Sequence, residues 1–131
     1  MKDKLQVMFE AQKYFQTKLG IYDKIKNESD KQLYVNQMIL ACQEECVEIM
    51  RETAYKNPKF VKFGWKQKQV WNTGNYKSEI IDLMHFVMNL WFVAFLEENR
   101  VVSSASEMAD EFFAAYCNKH NINEERQKSG Y

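Results

Sequence analysis

The chain has 131 residues, 46 % of them hydrophobic, 15 % aromatic and 27 % charged. That is enough apolar material for one sizeable core, and it argues against both a disordered segment and a membrane-embedded protein. Eighteen basic residues cancel eighteen acidic ones, so no net field draws the protein to nucleic acid or to an anionic membrane, and any phosphate binding must be local. A single domain over residues 1–131 is expected.

One proline and four glycines leave little punctuation, so long helices are expected wherever apolar residues recur at three and four. Leu5, Met8, Phe9, Gln12, Phe15 and Leu19 form the stripe of a first helix, which Gly20 can end in the left-handed region. Ser29 with Gln32 resembles a capping box, and Val35, Met38, Cys42, Cys46 and Ile49 continue a second helix to about Tyr55, before Asn57-Pro58. Residues 59–75 mix aromatics, lysines and Thr73-Gly74 with no clear period, and read as a functional loop. Ser78 then caps a third helix that is apolar almost all round from Ile80 to Leu96 and is expected at the centre of a bundle. Ser104 and Glu107 suggest a capping box that opens a fourth helix, with Met108, Phe112, Ala115 and Tyr116 facing inward. The run from Lys119 to Tyr131 reads as a polar tail. The fold class is therefore all-α, a bundle of four to five helices.

Cys42, Cys46 and Cys117 are an odd set without a CxxC pair and read as reduced, structural thiols. No signal-peptide block opens the sequence, and the run from Phe86 to Leu96 is far short of the ~20 residues that span a bilayer. Both point to the cytoplasm.

The polar residues of the second and third helices carry the chemistry. At ~100° per residue, Glu45, Glu48 and Glu52 fall in a narrow sector beside the apolar stripe, and Glu79, Asp82, His85 and Asn89 run along one side of an otherwise apolar helix. A buried carboxylate costs several kcal/mol unless it is paired, protonated or bound to a cation. Spacing of three lets two carboxylates of one helical face share an ion, so Glu45-x-x-Glu48 and Glu79-x-x-Asp82 make an all-oxygen site suited to Mg2+ or Mn2+. Taken alone, Glu44, Glu45 and Glu48 also fit an ordinary solvated face, and His85 and Asn89 fit hydrogen-bonded core positions. Asn89 has the donors and acceptors to read a base edge, and His85 those to touch a sugar or orient a carboxylate.

ExxE followed some thirty residues later by ExxD resembles the all-alpha NTP pyrophosphatase superfamily, and within it the dimeric dUTPases and related phage dCTPase/dUTPases. The segments that carry the resemblance are Glu45-Cys46-Val47-Glu48, Phe63-Gly64-Trp65-Lys66, Glu79-Ile80-Ile81-Asp82-Leu83-Met84-His85-Phe86, and the tail Lys119-His120-Asn121-Ile122-Asn123-Glu124-Glu125-Arg126-Gln127. The resemblance implies four carboxylates binding two or more Mg2+ ions around a deoxynucleoside triphosphate, with water attacking the α-phosphorus and Glu48 as general base. It also implies that Lys66, Lys119, Asn123 and Arg126 grip phosphates, that Gln12 reads the base and that Trp65 stacks on it. The tail is expected to order over the triphosphate when nucleotide binds.

Three other readings stay open at this stage. One is a relative acting on dCTP, a purine triphosphate or a damaged nucleotide. Another is a carboxylate-bridged di-iron bundle, for which Asp82-x-x-His85 supplies only half a motif. The third is a non-catalytic helical interaction protein. An apolar third helix that one layer of helices covers only in part further suggests a homodimer or higher oligomer, with Trp91, Phe92 and Phe95 packing against a partner or the fourth helix.

Overall fold

The computed structural model describes residues 3–55 and 70–130. Among these residues the fold is all-α: α1 (Lys4–Lys18), a single 3-10 turn (Tyr22–Lys24), α2 (Glu28–Arg51), α3 (Thr73–Val93), a two-stranded hairpin of β1 (Leu96–Glu97) and β2 (Arg100–Val101), and α4 (Ala105–Lys128). The chain divides into two compact units, Asn27–Val93 and Met1–Lys26 with Ala94–Tyr131.

Each helix begins where a short polar side chain can accept from the free N–H groups of the first turn. Asp3 accepts from the Gln6 N–H at 2.9 Å and starts α1, which stops at Gly20 with φ +71°. The left-handed stop expected at that glycine is present. Ser104 and Glu107 form the expected reciprocal capping box of α4. The other two starts differ from expectation. Asn27, not Ser29, caps α2 by accepting from the Asp30 N–H at 2.8 Å. Asn72, not Ser78, caps α3 by accepting from the Asn75 N–H at 3.0 Å, so the helix opens earlier, at Thr73, and takes in the end of the expected loop. Gly74 in that first turn masked the signal.

In the unit formed by α1, the hairpin and α4, the core is built on Phe9, Met108 and Ala109, with Phe9 edge-on to Phe112 at a ring separation of 5.6 Å. The inward side of α1 carries Phe9, Gln12 and Gln16, whereas Met8, Phe15 and Leu19 of the expected stripe are exposed. Tyr116 and Ala115 likewise lie outside rather than inward on α4. The hairpin had no sequence signal. Its tight turn places Glu98 at φ 54°, a left-handed position usually given to Gly or Asn.

The other unit is α2 and α3. The third helix is not buried throughout: Met88, Asn89, Phe92 and Val93 are inside, while Ile80 and Ile81 are exposed. Cys42, Cys46 and Cys117 are free, and Cys46 is exposed on α2 instead of filling the core. No helix among the described residues is long and apolar enough to cross a membrane.

Candidate metal centre

Two ties fix the register of α2 against α3. At one end the Asn72 N–H donates to the Glu52 carbonyl at 3.0 Å, and the Asn75 side-chain amide reaches the Glu52 carboxylate at 3.5 Å. Towards the other end the Asn89 amide points at the Met38 sulfur, 3.7 Å away. The helices are therefore antiparallel. Glu45 lies seven residues before Glu52, and Glu79 seven residues after Asn72, so the two carboxylates stand level.

Glu45, Glu48 and Glu79 each offer an oxygen, and these three atoms lie within 4.8 Å of one another. Glu48 is exposed and the other two are half-buried. Asp82 lies outside this tight group. At 1.5 Å of rise per residue it sits about 4.5 Å along the axis from the Glu45–Glu79 level, on the side away from Glu48, which puts Glu48 and Asp82 about 9 Å apart axially. It is still near enough for its charge to act on both Glu45 and Glu79.

Among the described residues, the charges that act on the cluster are carboxylates. Burial, followed by contact with Glu48 and then Glu45 and Asp82, pushes the Glu79 carboxyl up to about 7. Burial and the Glu48 charge raise Glu45 in the same direction. One oxygen of each, Glu45 Oε2 and Glu79 Oε2, is shut off from solvent and accepts no hydrogen bond from the described residues. Buried acceptors of this kind are rarely left unsatisfied. A hard divalent cation fits them: the donors are all oxygen, and an ion held at ~2.1 Å bridges oxygens up to about 4.2 Å apart, close to the span seen here.

The remaining expected site residues fall in three groups. His85 and Asn89 follow Asp82 on α3. The His85 Nδ1 lies 2.8 Å from the Ile81 carbonyl, and because a carbonyl only accepts, Nδ1 carries the proton and Nε2 is left as the acceptor of the neutral ring. His85 is exposed, while Asn89 is buried and turned into the α2 contact. Gln12 is buried on α1. Lys119, Asn123 and Arg126 share one exposed face of α4. That segment is helical to Lys128, so the expected polar tail is the end of a formed helix. Its cause is local: the residues after Cys117 carry no glycine or proline before Gly130, and Arg126 and Lys128 lie in the last turn, where cations favour a helix end. Trp65 and Lys66 lie outside the described residues.

Sequence reasoning missed Asn72 and the partnership of Asn75 with Glu52, which together set the level of the two carboxylate pairs. An Asn two residues before a glycine reads as a turn, and only the tie to Glu52 shows it to be a helix start.

Comparison with curated proteins and with solved structures gives no match. The protein-family model described as dUTPase matches residues 4–108, a span that contains all four carboxylates and stops short of Lys119, Asn123 and Arg126. With that match over most of its length, the chain belongs to the helical dUTPase family of the all-alpha NTP pyrophosphatase type and is a dUTP diphosphatase-like hydrolase.

Proposed function

We propose that the chain hydrolyses a deoxypyrimidine nucleoside triphosphate, dUTP above others, to its monophosphate and pyrophosphate, with Mg2+ held by Glu45, Glu48, Glu79 and Asp82 and Mn2+ able to substitute. The observation that carries the metal assignment is the pair of buried oxygens on Glu45 and Glu79, unsatisfied among the described residues and within reach of Glu48. When bound, the cations neutralise the phosphates and hold the attacking and leaving oxygens in line. Glu48 is the exposed member of the cluster, open to arriving substrate, and serves as general base. It takes the proton of the water whose oxygen bonds to the α-phosphorus, while the bond to the bridging oxygen breaks and pyrophosphate leaves with the electron pair. The roles carried by resemblance are phosphate contacts from Lys66, Lys119, Asn123 and Arg126 and base or sugar contacts from Gln12, Trp65, His85 and Asn89. The enzyme acts as a homo-oligomer in the cytoplasm, and residues 1–131 work as one nucleotide-hydrolysing domain.

A panel of the common dNTPs and NTPs with Mg2+, read as pyrophosphate release, tests the proposal. The expected result is turnover of dUTP ahead of dCTP and far ahead of purine nucleotides. No turnover of any nucleotide with either Mg2+ or Mn2+ would refute it, and preference for dCTP would move the substrate assignment within the same metal chemistry.

A further inference from the structure

In the unit that holds α1 and α4, a cleft of about 190 Å3 opens between α1, the 3-10 turn and the hairpin. Its base is apolar, made by Tyr22 and Val101, both buried. Its rim carries charge of both signs, with Lys13 of α1 and Arg100 of β2 against Asp23 of the 3-10 turn. Opposite charges in so small a space would ordinarily answer each other. Among the described residues, Asp23 forms an ion pair with neither cation. The Lys13 ammonium donates instead to the Ser103 carbonyl at 2.9 Å, a neutral acceptor that takes one of its three protons and leaves its charge unanswered.

The cleft therefore has two poles. The Asp23 carboxylate lies at the end of α1, one of its oxygens 3.8 Å from where a Cβ on Gly20 would sit, and a helix end of that kind is itself negative. Thr17, in the last turn of α1, adds an acceptor: its hydroxyl proton goes to the Lys13 carbonyl at 2.8 Å, so its lone pairs are what it offers a ligand. At the other pole the Lys13 ammonium reaches the residue before the N-cap of α4, where the helix dipole is positive. Arg100 adds the fork that a carboxylate accepts in two bonds. Glu98, left-handed at φ 54°, closes the turn that sets Arg100 at this rim. A simple anion is drawn to one pole and repelled by the other, and a simple cation likewise, whereas a ligand with both charges satisfies both. We propose that the cleft binds a small zwitterionic α-amino acid with an aliphatic side chain. Its carboxylate meets Arg100 and Lys13, its ammonium meets Asp23 and Thr17, and its side chain lies on Tyr22 and Val101. The volume, about six waters at ~30 Å3 each, holds one such molecule and falls below the roughly 300 Å3 at which sites for larger ligands begin.

Amide-resolved NMR of the metal-free protein, titrated separately with L-valine, L-alanine, acetate, methylamine and inorganic phosphate, tests the site. Valine, and more weakly alanine, should give saturable shifts centred on Thr17, Asp23 and Arg100. Acetate and methylamine, each half of the ligand, and phosphate should bind about ten-fold more weakly than valine or worse. Arg100→Ala and Asp23→Asn, both at exposed positions, should each weaken valine binding about ten-fold, the order of one lost charge-assisted contact, with the helical circular dichroism spectrum unchanged. Lys128→Ala, which removes an exposed cation at the end of α4, should leave valine binding as it is. No saturable shift with either amino acid would overturn the proposal, as would valine binding that survives Arg100→Ala intact. Phosphate binding as tight as that of valine and indifferent to Asp23→Asn would overturn it too, making the cleft a plain anion site. None of these readouts involves nucleotide or metal, so they stand or fall apart from the catalytic proposal.

Discussion

Glu48 differs from its two neighbours in the cluster by its exposure, and that difference decides how its replacement should behave. Glu45 and Glu79 each bury an oxygen without a donor among the described residues, so changing either alters packing and charge together. Glu48 is exposed, and Glu48→Gln keeps the shape while removing a base and one cation ligand. Without metal, the variant should melt no lower than the unaltered protein, since one repelling charge is gone. Its turnover should fall roughly a hundredfold or more, the usual range for loss of a general base. Steady-state pyrophosphate release checks it, and a variant with unaltered turnover would remove Glu48 from the role. Glu79 gives a pH test with a definite sign. Its folded value of about 7 lies above the ordinary 4.5, so the proton it keeps on folding contributes stability that is complete below pH 4.5. That contribution is lost as pH rises towards 7. The metal-free protein should therefore melt at progressively lower temperature across this window. Mg2+ competes with the same proton, so the rise in Tm on adding Mg2+ should be larger at pH 8 than at pH 5. Thermal scans with and without Mg2+ at the two pH values measure it. An equal Mg2+ shift at both would mean that the protonated carboxyl is not a ligand.

At the scale of elements, most of what could be read from the sequence was helix interior and most of what was misread was helix boundary. The capping box at Ser104 and the left-handed glycine at Gly20 were legible because each signal is complete within four residues. The starts of α2 and α3 were not, because Asn27 and Asn72 do the capping while nearby serines offer the same chemistry. The hairpin at Glu97–Arg100 was invisible because it rests on Glu98 in a left-handed conformation, which costs an L-residue roughly 1–2 kcal/mol. Glu98→Gly should recover part of this, about 0.5–1 kcal/mol after the entropy that glycine adds to the unfolded chain, seen as an upward shift in the urea midpoint with the same m-value. α4 supplies the test of the phosphate contacts. Arg126 is exposed in the last turns of an already formed helix, so Arg126→Ala should leave the melting temperature within a degree or two. If the residue grips phosphate, kcat/KM for dUTP should drop about ten-fold or more, the order expected for losing a charge-assisted contact. Unchanged kcat/KM would show that α4 ends as a solvated helix.

For the molecule as a whole, the sequence by itself determined the all-α class, the two carboxylate pairs and the family they resemble, because helical periodicity and an i, i+3 spacing are local properties that survive in any tertiary setting. It also determined that α2 and α3 must meet if the pairs are to share an ion. Only the tertiary structure decided how they meet. The tie between Asn72 and Glu52 fixes the register, and one residue of rise is about 1.5 Å, so a slip of a single turn would either set Glu45 level with Asp82 and Glu48 level with Glu79 or draw the two carboxylate pairs apart. Burial was likewise a tertiary decision: Phe15, Ile80, Ile81 and Tyr116 carry inward-facing patterns in the sequence yet are exposed, whereas Gln12 and Asn89 are inside. Amphipathic spacing says which residues share a face of a helix, but the neighbouring helices settle which face is covered.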